Sequence, residues 1–511
     1  MTIDIYETIN NNIYNFPKKI PYITVSSKGI SNGLSTIYND GADFGPDTYL
    51  GATTKNRYGP PYTKTSGLLE AVNYQQKNGG KIQMTAGRFV ISSDAPLTQV
   101  SSSNVLGYPE YAIIPLSGQA IVNNTVNNVL SFNISGVAGD INSGGTGINN
   151  EINVWNNNTT TIIDVSGLSN LPSNASVVLF GYNRMNLPSG TVVSEIINMH
   201  DFVIFTAQPT ASGENICGGY DFYNSWNANV TNVTVYSPNN FYSTVFPSQY
   251  VIGQIIDGEI GNMCWVDNIA SYAMYTGFIL GSHTHAGTVI TQSCYYGLMP
   301  FAHHGVDVDR YDTQGCIYPV FTTSSLYGSL RIHSWDGEDY SAAGGNQEVT
   351  DVYIPNVSVG YTPYISVDNF HMEYSGGSPN PRFPIISNNA KGYYPVVIKN
   401  IEAQAPTISG TTAGTVQPIV LEYSVNTSGS LAGYKKMMFV FSGYENDTTT
   451  AQTIPYPSNG APHNNQLSFV STPVISANNT GLTISASTTG ITITAPNNTI
   501  AYNGIVIVEG Y

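Results

Sequence analysis

Residues 65–91 form the stretch that most constrains how this chain can fold. Apolar residues at helical spacing over 68–72 are followed by Gly79-Gly80, a pair that tolerates positive φ and therefore ends a helix. Two strand-like runs follow within 82–91, separated by small turn residues. The pattern predicts a short amphipathic helix with Ser66 as its N-cap, then a double glycine and two strands.

These residues resemble the beginning of the pectate-lyase-like right-handed parallel β-helix proteins, which include viral tailspikes and many polysaccharide-degrading enzymes. That family has a DFGA-like stretch before the helix and a GG-x-[VI]-x-[LV]-P-x-G-x-[YF]-x-[IV] run after it. Asp43-Phe44-Gly45 correspond to the first pattern and residues 79–91 to the second. The resemblance implies an all-β chain, a right-handed parallel β-helix with a short N-terminal capping helix. It transfers no catalytic residue, because the motif is a folding signature.

Composition narrows the classes of partner. The formal charge is −16 with only 17 Lys and Arg in 511 residues, which argues against nucleic acid, since phosphate binding relies on clustered cations. No apolar run approaches the roughly 18 residues of a membrane span, and the first residues do not resemble a signal peptide. Charged residues are 10% of the chain, so neutral hydrogen-bonding groups are expected to cover its surface. Because few side chains titrate, a fall in pH creates little repulsion between like charges, which suits an acidic exterior.

A repeat of about twenty residues indicates stacked coils between 229 and 375. The run AMYTGFILGSHTH, from Ala273, matches SCYYGLMPFAHHG, from Ser293, so His283 and His303 are twenty residues apart. Coils of this length rise about 4.8 Å each and place like residues above one another. We therefore expect His283 and His303 to lie on one face.

The sequence predicts three parts. Residues 1–64 are an N-terminal arm with a loop leading into the helix, residues 65–410 form the parallel β-helix, and residues 411–511 form a C-terminal antiparallel, sandwich-like β-domain. Four strand-like runs within about 159–206, with turn signals at Asn174 and at 188–190, predict a small antiparallel β insertion.

The four cysteines lack the CxxC spacing of zinc and redox motifs. We interpret Cys217, Cys264, Cys294 and Cys316 as buried thiols, with one disulfide as the alternative.

Six of the eight histidines, with many of the charged residues, fall between 283 and 373, which marks one candidate site. The candidate catalytic carboxylates are Asp307, Asp309, Asp336 and Glu338. The candidate substrate-binding residues are His283, His303, His304, Arg310, Arg331 and Trp335. No HExxH or comparable frame is present, so we predict neither a metal site nor a cofactor, with calcium as the one ion to consider.

Three chemistries fit this site. Two carboxylates about 5 to 10 Å apart would cleave a sugar bond by hydrolysis. Calcium-binding carboxylates with Arg310 or Arg331 as base would make a lyase. Polar groups and aromatic rings would also form a sugar-binding groove without chemistry, and Trp335, within SWDGEDY, is then the aromatic residue expected to face the site. The family's hydrolase signatures, an NxD, a DD pair and a GHG, are not found.

We hypothesise a virion surface spike or fibre protein, similar to tailspikes, that binds host cell-surface polysaccharide. The alternative is a polysaccharide-degrading enzyme, either a glycoside hydrolase or a polysaccharide lyase. The expected partners are a host surface glycan, other virion proteins and further copies of the chain, with a trimer as one arrangement. The expected location is extracellular, on the virion surface.

Overall fold

A computed structural model describes the protein in two compact units, 1–295 and 296–511. The described residues are 22–28, 42–46, 63–117, 130–138, 159–185, 193–238, 245–258, 264–322, 328–339, 350–354, 365–374, 380–381, 386–388, 396–402, 414–425, 435–444, 451–455, 483–486, 490–494 and 501–510. The predicted arm over 1–40 lies mostly outside them, as do His303's side chain and the predicted linker near 408–413. The proposed domain limits at 64 and 410 stay predictions.

The first unit contains one helix, α1 (Leu68–Asn78), and fifteen strands within its described residues. The strands are β1 (Tyr22–Val25), β2 (Lys81–Met84), β3 (Gly87–Val90), β4 (Thr98–Ser101), β5 (Glu110–Leu116), β6 (Leu130–Ser135), β7 (Thr161–Asp164), β8 (Ser176–Tyr182), β9 (Val193–Phe205), β10 (Tyr220–Tyr236), β11 (Ile252–Gly258), β12 (Cys264–Asp267), β13 (Ile269–Tyr272), β14 (Thr276–Gly281) and β15 (Thr284–Gln292). Among the described residues no helix is long and apolar enough to span a membrane.

The start of α1 differs from the prediction. Gly67 occupies the N-cap with φ 82°, and no side chain caps it. Ser66 is not the cap, because its hydroxyl donates to the Val90 carbonyl at 2.6 Å. A Cβ on Gly67 would lie 2.6 Å from the Gly45 nitrogen, so the DFG stretch packs directly against the helix start.

Parallel pairing of successive strands builds the first unit, and this confirms the predicted parallel β-helix. β2 pairs with β6, β6 with β9, β9 with β10, β10 with β12, and β12 with β15, all in parallel. Trp265 lies opposite His285, and Ile269 opposite Val289, so the coil here is twenty residues long, as the repeat predicted. One inner column of this stack is buried and apolar: Ile82, Ile134, Met199, Val230, Val266 and Ala286.

Polar residues in left-handed backbone turn the chain at one corner of these coils. Asp201, Asn232 and Asn268 have φ of 67°, 53° and 49°. Short Asn and Asp side chains tolerate this region best after glycine, because they hydrogen-bond locally. The three residues occupy equivalent positions in successive coils.

The predicted antiparallel insertion over about 159–206 is wrong in its pairing. β7 pairs in parallel with β3 and β9, and β8 in parallel with β5 and β10. These strands are therefore part of the coil stack. Their partners lie tens of residues away in sequence, whereas the partner of a hairpin strand is the next strand along the chain. In the same unit β4 does form a hairpin, antiparallel to β5.

The second unit begins with nine further strands. They are β16 (Tyr296–Gln314), β17 (Tyr318–Phe321), β18 (Gly328–Asp339), β19 (Val352–Ile354), β20 (Ile365–Tyr374), β21 (Asn380–Pro381), β22 (Ile386–Asn388), β23 (Val396–Ile398) and β24 (Ile401–Glu402). β16, β18 and β20 stack in parallel, and β23 and β24 continue that stack on β20.

The last described strands are antiparallel, as predicted for the C-terminal part. They are β25 (Gly414–Val425), β26 (Lys435–Tyr444), β27 (Ala451–Pro455), β28 (Thr483–Ala486), β29 (Gly490–Thr494) and β30 (Ala501–Gly510). β25 pairs antiparallel with both β23 and β24, then with β26, which pairs with β30. β27, β28 and β29 form a separate three-stranded sheet.

Candidate functional site

Two strands of the second unit, β16 and β18, carry most of the predicted site residues, and β20 stacks on β18. In their register Asp307 lies opposite Arg331, and Asp312 opposite Asp336. Side chains alternate between core and outer face until residues 309–310, where Asp309 and Arg310 are both exposed. After them Tyr311 is buried, so the chain turns a corner at this point.

Trp335 does not face a ligand, and its predicted role in substrate binding is wrong. The side chain is 1% exposed, and the indole Nε1 donates to Thr313 Oγ1 at 3.1 Å. Its ring packs between Tyr311 and Phe370, at centroid distances of 5.2 and 5.3 Å. The acidic neighbours in sequence point outward because alternation along β18 places Trp335 in the core.

A charged cluster on the outer face centres on Asp368. Its Oδ2 accepts a hydrogen bond from Arg331 Nη2 at 2.9 Å and lies 3.1 Å from His333 Nδ1. Lys399 Nζ is 3.7 Å from Oδ1. The other imidazole nitrogen, His333 Nε2, is 3.1 Å from Asp307 Oδ1. The imidazole can donate to both carboxylates only when it carries two protons.

The pKa of Asp368 lies below its usual range. Partial burial raises it, but the hydrogen bond from Arg331 and the charges of Arg331, Lys399 and His333 together outweigh that effect. Asp368 therefore stays ionised, which suits ion pairing and is opposite to what a general acid requires.

A second set of contacts joins Arg310 to two carboxylates on neighbouring coils. Arg310 Nε donates to Asp312 Oδ1 at 2.8 Å, and Nη2 lies 3.6 Å from Asp336 Oδ2. The hydrogen bond and charge of Asp312 raise the pKa of Arg310. Because Asp312 and Asp336 are directly opposite, their strands are about 4.8 Å apart.

The register does not place the predicted catalytic residues opposite one another. Asp336 faces Asp312, and Glu338 faces Gln314, whose amide donates to it at 2.9 Å. His304 is exposed on β16, while His283 belongs to the first unit, half-buried with φ 57°. The assignments of these residues to catalysis or binding stay predictions.

The sequence analysis included Asp312 and His333 in the candidate region without giving them a role, and it missed Asp368 and Lys399. Asp368 and Lys399 lie 37 and 68 residues after Arg331 in sequence. Only the strand register brings them together. The twenty-residue repeat would not have found Asp368, because β18 and β20 pair across a longer stretch of sequence.

The first unit has a different outward surface, on which neutral polar side chains form a column. One outward column follows the register of β1, β2, β6, β9, β10, β12 and β15. We call it the amide column, and its members are Tyr22, Lys81, Asn133, Asn198, Asn229, Trp265 and His285. Trp265 is 51% exposed, and its ring meets the edge of His285 at 4.8 Å.

The column beside it is also polar. Its members are Thr24, Gln83, Ser135, His200, Thr231, Asp267 and Gly287. A Cβ on Gly287 would lie 2.2 Å from Asp267 Oδ1, and that oxygen accepts from Thr288 N at 2.9 Å. Asp267 is therefore held flat against the next coil and leaves Trp265 accessible beside it.

Other aromatic rings among the described residues stack on one another. Tyr275 and Tyr295 are parallel at 4.8 Å in the first unit, and Tyr296 and Phe321 at 3.9 Å in the second. All four cysteines are buried thiols without a disulfide, as predicted.

Comparison with known proteins gives little. No family model matches the chain, and no curated protein matches it. Among solved structures it is similar to the tailspike protein gp49 of Acinetobacter baumannii bacteriophage Fri1, a capsular polysaccharide depolymerase, with 9% identity and a TM-score of 0.21 over 88% of this chain and 82% of that chain. A TM-score this low supports no inference about fold or function.

Proposed function

We propose that the chain is a spike or fibre protein of a virion surface that binds a host cell-surface polysaccharide through the amide column. The observation that carries this proposal is the exposed indole of Trp265 among outward amide side chains of successive coils. Asn229 on the coil before it is exposed, and His285 on the coil after it is half-buried.

Sugars present both C–H surfaces and hydroxyl groups, and this column offers a match for each. The face of an indole ring packs against the apolar C–H surface of a sugar while the indole N–H remains hydrated. An amide both donates and accepts, as a hydroxyl does. Because the described column has Lys81 as its permanently charged member, it suits an uncharged stretch of glycan.

Spacing along the stack also favours a polymer as ligand. Equivalent side chains recur about every 4.8 Å, the distance between paired strands. A chain of sugars lying along the column can contact several coils at once. Weak contacts to linked units add up, because binding of the first raises the effective concentration of the next.

The virion location, and the association with other virion proteins and with further copies of this chain, belong to the same proposal. The support is a composition with 10% charged residues and abundant neutral polar groups. Mass spectrometry of purified particles should find the chain in stoichiometric amount. Light scattering of the isolated protein should give a mass above that of one chain, with three copies as the expected number.

A second candidate function, polysaccharide cleavage, is favoured by one observation in the second unit. Asp312 and Asp336 face each other on neighbouring strands, and Arg310 contacts both. Two carboxyl groups about 5 to 10 Å apart are what glycosidases use. Asp307, Asp309 and Glu338 are the remaining carboxylates proposed for this chemistry.

Binding of purified host surface polysaccharide tests the first candidate. We expect Trp265→Ala to weaken binding about tenfold, roughly 1.4 kcal/mol, and Trp265→Phe to weaken it less. Met185→Ala is the matched control, because Met185 is also an exposed apolar side chain, 45% accessible, outside the column. Equal affinity of Trp265→Ala and wild type would contradict the proposed site.

The same incubation separates the two candidates. New reducing ends, or unsaturated uronates detected by absorbance, that vanish in Asp312→Asn and Asp336→Asn would establish the enzyme. Binding without either product supports the first candidate alone.

A further inference from the structure

The hairpin of β4 and β5 covers part of the outer face of the first unit. Ser101 lies opposite Glu110 in this antiparallel pair. Val100 on β4 packs onto Ala112 and Val178, and all three are fully buried. Side chains that would otherwise point into solvent from β5, β8 and β10 are therefore enclosed beneath β4.

Three charged groups lie in this enclosed layer. Glu110 and Asp221 are 0% exposed, and the side chain of Arg184 is 13% exposed. Arg184 binds Asp221 with both terminal nitrogens, at 3.2 and 3.3 Å, and also donates to the Tyr223 carbonyl. Its guanidinium lies over the Tyr223 ring at 5.0 Å. The enclosed layer thus holds one cation and two carboxyl groups, and the cation pairs with Asp221.

Glu110 is tied to the loop that closes the hairpin. Asn104 Nδ2 donates to Glu110 Oε2 at 3.3 Å, and Asn104 Oδ1 accepts from the backbone nitrogens of Leu106 and Tyr108 at 3.0 and 3.1 Å. Glu110 Oε1 is buried without a hydrogen-bond partner. A carboxylate in this position would leave one ionised oxygen both dry and unpaired.

We propose that Glu110 is a proton-dependent latch, whose protonated carboxyl keeps the β4–β5 hairpin closed and whose ionisation loosens it. Arg184 is already neutralised by its two bonds to Asp221, so a second carboxylate would be an uncompensated buried charge. An uncompensated buried charge is strongly destabilising. A protonated Glu110 removes that charge and leaves the enclosed layer neutral.

The titratable groups facing Glu110 agree with this. Burial is the largest effect and raises the pKa of Glu110 well above its usual range, and the charge of Asp221, from β10, raises it further. Arg184, which follows β8, acts in the opposite direction but more weakly. Tyr182 of β8 faces Arg184, and Asn104 of the loop is uncharged.

The direction of the pH effect follows from the raised pKa. A folded state that holds the proton more tightly has its full contribution to stability below the ordinary Glu pKa of about 4.3. That contribution is lost as pH rises through the folded pKa. The latch is therefore closed under acidic conditions and weakens on the alkaline side.

Hydrogen exchange of the full chain at pH 5 and pH 8, corrected for intrinsic rates, tests the latch. In wild type we expect amides of 98–116 to lose protection at pH 8, roughly tenfold for each pH unit between 5 and the raised pKa of Glu110. In Glu110→Gln, which cannot ionise, the protection should be equal at both pH values. Glu70→Gln, in the first turn of α1, is the control and should behave as wild type.

The same loss of protection in Glu110→Gln as in wild type would overturn the proposal. A second variant keeps the test valid if Glu110→Gln does not fold. Asp221→Asn frees Arg184 to pair with an ionised Glu110, so the hairpin should stay protected at both pH values. Loss of protection at pH 8 in that variant would also overturn the latch.

Discussion

The side-chain amide of Asn268 donates to Asn232 Oδ1 at 2.7 Å, joining the same corner of two successive coils. Asn232 in turn donates to Asp201 Oδ1 at 2.8 Å. All three residues have left-handed backbone. Each corner therefore relies on a side chain that tolerates this backbone and also bonds to its neighbour.

Replacing Asn232 separates these two contributions. Asn232→Gly keeps the backbone freedom and loses the hydrogen bonds, so it should cost about 1 kcal/mol of unfolding free energy. Asn232→Ala loses the same hydrogen bonds but keeps a Cβ in left-handed backbone, so it should cost about 1 to 2 kcal/mol more than Asn232→Gly. Urea unfolding measures both, and Asn229→Ala, exposed on the same coil, should change little. Equal costs for the two variants would contradict the role of the backbone.

Close stacking of glycines predicts a second sensitive position. A Cβ on Gly253 would lie 2.5 Å from the Gly277 carbonyl oxygen and 2.6 Å from Ser271 Oγ. Gly253→Ala should therefore destabilise the chain by about 1 to 3 kcal/mol, as overpacking does. Gly167→Ala is the matched control, because a Cβ there meets nothing within 4 Å. A melting temperature unchanged by Gly253→Ala would show that the coils do not stack this closely.

The ion pairs of Asp368 predict a pH-dependent contribution to stability. Its lowered pKa means that the contribution is present above the ordinary Asp value of about 3.9 and is lost as pH falls through the folded pKa. Asp368→Asn should lower the melting temperature at pH 7. The loss of unfolding free energy should be less than about 1 kcal/mol, because the side chain of Arg331 is largely exposed. The difference should shrink at low pH and in high salt; a difference that grew at low pH would reverse the assignment.

The cysteines should be inert in the folded protein. Burial raises the pKa of Cys264 to about 12 and that of Cys217 further, and the thiolate is the reactive form. Iodoacetamide at pH 8 should label none of the four thiols in the native chain and all four in denaturant. Rapid native labelling of Cys217 or Cys264 would mean that the coil opens there.

The sequence predicted the features that depend on local pattern. The double glycine after the helix and the twenty-residue repeat correspond to the end of α1 and to the offset between Trp265 and His285. Glycine conformation and repeat length are properties of a short window, so they can be read without knowing the partner strands.

Strand direction could not be read in the same way. The same alternation of apolar residues is expected in the strands of a hairpin and in the strands of a β-helix coil. The turn signals in the sequence near 174 and 188–190 are compatible with both. The partners of β7 and β8 lie far away in sequence, which local pattern does not record. The same reason hid Asp368 from the predicted site.

Trp335 shows the complementary error. Its acidic neighbours in sequence suggested an exposed site, but side chains one residue apart on a strand point to opposite faces. The buried partners Tyr311 and Phe370, on the coils before and after it, placed it in the core. The residue types beside Trp335 in sequence therefore predicted its environment less well than its position in the inward and outward alternation of β18.

β25 runs across β23 and β24 in the opposite direction and takes up their free backbone groups. A chain ending at residue 402 would instead present bare donors and acceptors, the situation that allows another molecule to add on. The antiparallel strand β25 therefore covers the edge at which parallel stacking would otherwise continue.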